Sequence, residues 1–134
     1  MKEQTSELEN NIFFWQKLDT LILSGNVEAI SKAGTPSPDY PKLVYPVDFG
    51  KVSDVLSNSG APFYCFIGSL KDRRATAVIV QADILEREVF VKALIGCTED
   101  EIRRIIKFIN AAEFQKAILV RRGSDVPGWA HSDQ

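Results

Sequence analysis

Histidine is almost missing from this chain. His131 is the only one in 134 residues, and it sits beside Ser132 in a polar tail, far in sequence from either cysteine. That scarcity argues against a histidine-rich zinc site and against a Cys-His or Ser-His nucleophile. Cysteine is scarce too: Cys65 and Cys97 lie 32 positions apart among apolar neighbours, the usual setting of buried thiols. A reducing, cytoplasmic location is therefore expected, without a disulfide. No apolar run approaches the roughly eighteen residues of a membrane span, so a membrane is not expected as a partner. Met1 to Thr5 lead into an acidic stretch ending at Glu9, not into a basic region and an apolar segment, so no export signal is expected. No excess of positive charge is present either. A net charge of -2 and a pI near 5.4 give no general attraction for nucleic acid, and the cluster Lys71, Arg73 and Arg74 reads as a solvated turn.

What is present suits one α+β domain spanning 1–134, with 1–5 and 124–134 expected to be flexible. Hydrophobic residues make up 45% and charged residues 25%, ordinary values for a chain that buries its own core. Ser6 and Glu9 form a capping-box pattern, followed by Leu8, Ile12, Trp15 and Ile22 at helical spacing, which predicts a helix over Glu7 to Leu23. A short strand is expected at Val27 to Ser31. Pro36, Pro38 and Pro41 then impose a rigid loop. Leu43 to Val52, Pro62 to Gly68, Ala75 to Ile84 and Val89 to Ile95 are rich in β-branched and aromatic residues, which predicts a meandering, mostly antiparallel sheet. Thr98 and Glu101 form a second capping box ahead of Ile102, Ile105, Ile106 and Ile109, giving a helix over Glu99 to Asn110. Lys116 to Arg122 is the last expected strand. Pattern alone leaves open whether the sheet closes into a barrel.

The segment Val44-Tyr45-Pro46-Val47-Asp48-Phe49-Gly50-Lys51-Val52 resembles the Tyr-Pro-x-(Asn/Asp)-Tyr-Gly-Tyr stretch of soluble inorganic pyrophosphatases. Without a gap, Ser59-Gly60-Ala61-Pro62-Phe63-Tyr64-Cys65 then falls where that family carries Asp-Gly-Asp-Pro-x-Asp. Ala82-Asp83-Ile84-Leu85 and the run from Lys92 to Ile102 look like the family's hairpin and Cys-Thr-Glu helix start. The resemblance covers about Val44 to Arg122. It implies an OB-like five-stranded β-barrel flanked by an N-terminal helix and a helix near the C-terminus. The implied reaction is magnesium-dependent hydrolysis of diphosphate, and the implied assembly is a homo-oligomer.

Gly60 and Pro62 remain in register, whereas the three aspartate positions are Ser59, Ala61 and Tyr64. Magnesium requires hard anionic oxygens at about 2.0–2.1 Å, and a metal-free water keeps a pKa near about 15.7. Ala61 has no donor, Ser59 only a neutral hydroxyl, and Tyr64 a phenol. Phe49 and Lys51 replace two tyrosines of the first stretch. Diphosphate turnover is therefore expected to be absent or vestigial, leaving a scaffold or partner-binding role. No cofactor is then required, and magnesium would be needed only if the family activity persists. If the motif is mis-registered, Asp48, Asp54 or Asp83 are the alternative carboxylates, and a weak diphosphatase or a hydrolase of another phosphorylated compound is the alternative function.

Asp83 and Lys92 match family positions at a functional hairpin, as a metal contact and a substrate contact respectively. A turn centred between Arg87 and Glu88 would instead place them opposite each other as a cross-strand ion pair. Cys97 precedes a helix N-terminus, where a dipole lowers a thiol pKa, but Leu94 and Ile95 favour inert packing. Phe63, Tyr64 and Phe66 could stack on single-stranded nucleic acid. The acidic net charge favours core packing instead, with Tyr64 filling space once held by metal and water.

Overall fold

The computed structural model describes residues 9–58 and 60–123. Helix α1 (Ile12–Ser24) covers most of the described part of the expected helix and runs one residue past its expected end at Leu23. Asn11 is its N-cap, with its side-chain oxygen accepting from the Phe13 N–H at 2.7 Å, while Ser6, Glu7 and Leu8 lie outside the described residues. Trp15, Leu18 and Ile22 form its buried stripe. The helix ends at Gly25, where a Cβ would meet the Ser53 carbonyl oxygen at 2.3 Å, so only glycine admits the approach of the following strands.

Strand β1 (Val27–Ser31) matches its expected bounds. Strand β2 (Asp48–Leu56) is shifted from the expected Leu43 to Val52. Pro46 lacks an N–H for the ladder, and residues 43–47 stay in the proline loop, held by one isolated bridge between Pro36 and Val44. At its other end β2 continues through Asp54, whose φ of 63° marks a bulge where the register with the next strand slips between Val52 and Leu56. Strands β3 (Pro62–Ile67), β4 (Ala75–Asp83) and β5 (Glu88–Ile95), helix α2 (Glu99–Asn110) and strand β6 (Gln115–Arg121) complete the fold.

The strand order is β1-β2-β3-β5-β4-β6. Every neighbouring pair is antiparallel except β3 and β5, which run parallel over only three positions, Cys65–Ile67 with Ala93–Ile95. That pair breaks the expected meander, because β4 is crossed over to reach it. The result is an α+β fold with a mostly antiparallel, OB-like sheet, open and six-stranded where five were expected; among the described residues β1 and β6 do not pair.

Alternation along the strands divides the core into two layers, one on each face of the sheet. Trp15, Leu18 and Ile22 of α1 pack with Val52, Phe63, Cys65, Val78 and Ala93. Ile102, Ile105 and Ile109 of α2 pack with Phe66, Ala77, Ile79 and Leu94 on the other. Phe63 and Phe66 are both buried on opposite faces, so they do not form the shared stacking platform considered for nucleic acid.

Each helix is anchored by a polar device. For α2 the capping box is complete, and Glu101 Oε1 accepts from the Thr98 N–H at 2.8 Å and the Ser69 N–H at 3.1 Å, tying the helix start to the loop after β3. Burial works against the charged Glu101 carboxylate, but the hydrogen bonds from Thr98 and Ser69 prevail and hold its pKa below the usual value. For α1, Asp19 meets Arg122 at 2.9 Å with side chains only 13% and 12% exposed. Asp19 also accepts from the Ala75 N–H, and the Arg122 guanidinium lies 5.8 Å from the Trp15 ring centroid.

Removing one partner of a buried pair strands the other charge. Arg122→Ala should lower the unfolding free energy by about 3–5 kcal/mol in urea titrations, while Arg103→Ala, from an exposed helical pair with Glu99, should cost no more than about 0.5 kcal/mol. Equal losses in the two variants would contradict this assignment. Because the folded-state pKa of Glu101 is depressed, its contribution is complete above the unfolded carboxylate range and is lost as pH falls through the lower folded value. Glu101→Gln should therefore flatten the acid side of the stability profile.

Candidate functional site

Beyond the Cys65–Ala93 pair, β3 and β5 separate, each paired only on its far side. Two depressions open there. One, of about 500 Å³, lies between the β2–β3 and β4–β5 hairpins and is lined by Leu56, Ala61, Pro62, Val89 and Val91. The other, of about 240 Å³, lies on the α2 face under the proline loop. Tyr64, Phe90 and Lys92 line both, so they form the wall between them.

The wall is aromatic. Phe49 lies between Tyr45, at 5.4 Å and 14°, and Tyr64, at 5.5 Å and 18°, giving a three-ring stack with Phe66 edge-on to Phe49 at 5.2 Å. Into this group projects Lys92, its Nζ 5.4 Å from the ring centroids of Phe49 and Phe90 and 6.0 Å from that of Phe66. Among the described residues its one hydrogen bond is to Gln81 Oε1 at 3.1 Å. That oxygen is aimed by a relay: Gln81 Nε2 donates to Gln115 Oε1 at 2.7 Å, and Gln115 Nε2 donates to the Ile109 carbonyl at 3.1 Å. With both donors directed toward α2 and β6, the amide oxygen of Gln81 is left for Lys92.

Burial lowers the Lys92 pKa to about 8, against the upward pull of Asp83. Asp83 and Lys92 are nevertheless not cross-strand partners. Asp83 pairs with Glu88 and Lys92 with Ile79, because the turn occupies residues 84–87 instead of centring between Arg87 and Glu88. Asp83 Oδ1 fixes that turn by accepting from the Leu85 and Glu86 N–H groups, both at 2.9 Å, and Arg87 adopts φ 58° to close it. The expected ion pair is thus replaced by a buried turn cap that acts on Lys92 at longer range.

Of the residues singled out in the sequence, Phe49, Tyr64, Asp83 and Lys92 converge on the smaller depression. Ala61 lines only the larger one, and Ser59 lies outside the described residues. Tyr64 does not fill the depression; it walls it. Gln81, Phe90, Phe108 and Gln115 carry no motif, and the local signal is a glutamine within the apolar run Ala77 to Ala82 of β4. Cys97, 3% exposed, is buried in the α2-side core, and burial pushes its thiol up to about 12, outweighing any pull from the helix start.

As a metal site this donor set does not fit a cluster of magnesium ions. Ala61 offers no oxygen, one Asp83 oxygen already holds two N–H groups, and among the described residues no three of His, Cys, Asp and Glu converge to hold a metal. The smaller depression carries Asp39, Asp83 and Glu86 against the single cation Lys92. Among the described residues no helix is long and apolar enough to cross a membrane.

No protein-family model matches the chain, and no curated protein matches it in sequence. Its structure is similar to the crystal structure of an inorganic pyrophosphatase from Neisseria gonorrhoeae, with a TM-score of 0.56 over 81% of this chain and 90% of that one, at 14% identity. The chain has a pyrophosphatase-like fold, and the relationship is a distant structural one.

Lys92 supplies a signed test of the site. Its folded-state pKa of about 8 lies below the unfolded value, so unfolding takes up a proton between about pH 8 and 10 and this group makes stability rise with pH across that window. Cys65 and Cys97, both pushed up to about 12, act oppositely from about pH 9 upward. The difference between the protein and a Lys92→Met variant cancels the thiols. That difference, read from urea midpoints at pH 7 to 10, should move in favour of the lysine as pH rises. A flat difference would show that the ammonium is not desolvated.

Proposed function

We propose that this chain uses a pyrophosphatase-like fold for association and not for diphosphate hydrolysis, as a scaffold for a partner that includes a second copy of itself. The observation that supports this reading is the chemistry of the wall: at the cleft where phosphate and metal would have to be handled, the chain presents a ring stack and one caged ammonium. Hydrolysis near neutral pH draws on a metal-bound water of pKa about 7 instead of about 15.7, roughly 12 kcal/mol at the attacking oxygen. Ser59, Ala61 and Tyr64 supply no carboxylate toward such a metal, and neither Asp83 nor Lys92 replaces a cluster. The surplus of carboxylates around Lys92 also disfavours a bare polyphosphate. On this reading the protein works in the cytoplasm without a metal cofactor.

Purified protein with diphosphate and magnesium or manganese should release no phosphate above a metal-free control, and calorimetry should register no heat of diphosphate binding. Light scattering should report a mass above that of one 15.0 kDa chain. Robust metal-dependent turnover would overturn the proposal in favour of a diphosphatase with relocated ligands. A strictly monomeric protein would remove self-association from it.

A further inference from the structure

We propose that Lys92 is a carbonyl-reactive amine, and that the aromatic cleft around it takes a small neutral aromatic aldehyde as an imine. Four features of the site converge on this. Lys92 stands on the wall shared by the two depressions and lines both. Among the described residues it is held by one neutral acceptor, Gln81 Oε1, and by no carboxylate within ion-pairing distance, so deprotonation breaks no salt bridge there. Tyr64 and Phe90, which line both depressions beside it, suit a flat aromatic ligand. Asp39, Asp83 and Glu86 on the smaller side select against an anionic carbonyl compound such as a keto acid.

The chemistry balances without a redox partner. The Lys92 nitrogen lone pair attacks the carbonyl carbon, the carbonyl oxygen is protonated to give a carbinolamine, and loss of that oxygen as water leaves a carbon–nitrogen double bond. The sum is amine plus aldehyde giving imine plus water.

Charged neighbours come from several elements: Asp39 from the proline loop, Asp83 from β4, Glu86 and Arg87 from the hairpin turn, and Glu88 from the start of β5. Tyr45 and Tyr64 add phenols. Asp83 and the three ring faces favour the ammonium, whereas burial favours the free amine and prevails at about 8. At pH 7 such an amine is about one-tenth unprotonated, against about one part in 2,500 for an ordinary lysine of pKa about 10.4.

The test incubates the intact protein with benzaldehyde and cyanoborohydride, which reduces the imine to a stable benzylamine, and maps labelled lysines by peptide mass spectrometry over pH 6–10. At pH 7 Lys92 should be labelled at least about tenfold faster than the exposed Lys17, Lys42, Lys71 and Lys107 of the same molecule, with a rate midpoint near pH 8. Pyruvate in place of benzaldehyde should lose the preference. Lys92→Arg should abolish the fast phase and leave the other sites unchanged. Labelling of Lys92 no faster than Lys71, or a midpoint above pH 10, would overturn the proposal. The comparison among lysines of the unaltered protein stands even if the variant fails to fold. Neither outcome depends on whether diphosphate is hydrolysed.

Discussion

Three paired positions hold the two halves of this sheet together. Among the described residues, Cys65–Ile67 and Ala93–Ile95 form the only ladder between the β2–β3 side and the β4–β5 side. Both core layers pass through it: Cys65 and Ala93 face α1, while Phe66 and Leu94 face α2. Just past the ladder, Gly68 approaches the following chain so closely that a Cβ would meet the Gly96 carbonyl oxygen at 2.3 Å and Glu101 Oε1 at 2.7 Å. The start of α2 is therefore seated against the end of the same ladder, and the cleft begins where the ladder stops at its other end.

Local chemistry made part of this legible from the sequence. The second helix is stated outright by Thr98, Glu101 and the isoleucine spacing, because cap and buried face are both local. The buried stripe of the first helix, Trp15 and Ile22, is legible in the same way, whereas the cap at Asn11 carries no pattern that marks it in advance. Pro46 displaced β2, and the expected strand ran through it because the flanking residues are apolar. The parallel β3–β5 pair left no trace, since pairing across a crossover has no local signature.

The site was legible to the same degree. Phe49, Tyr64, Asp83 and Lys92 were reached through a resemblance and do meet in space. Their relationship was misjudged at the hairpin, because symmetric pairing of Asp83 with Lys92 ignored the capacity of an aspartate to end a strand by capping its own turn. The Gln81–Gln115 relay joins β4 to β6, which come together only in the folded sheet, and its role is to orient one oxygen. The likeness at 14% identity is one of fold, and a fold does not by itself carry the chemistry of a site.

The brevity of the ladder has a mechanical side. Joined at one end and free at the other, the two hairpins are the arms of a pair of tongs, with the aromatic wall near the pivot and Leu56 and Val89 toward the tips. An arm of roughly four residues is about 13 Å long, so a rotation of about 5° at the pivot moves its tip by about 1 Å. Small adjustments of packing between α1 and the sheet are thereby magnified at the mouth of the larger depression.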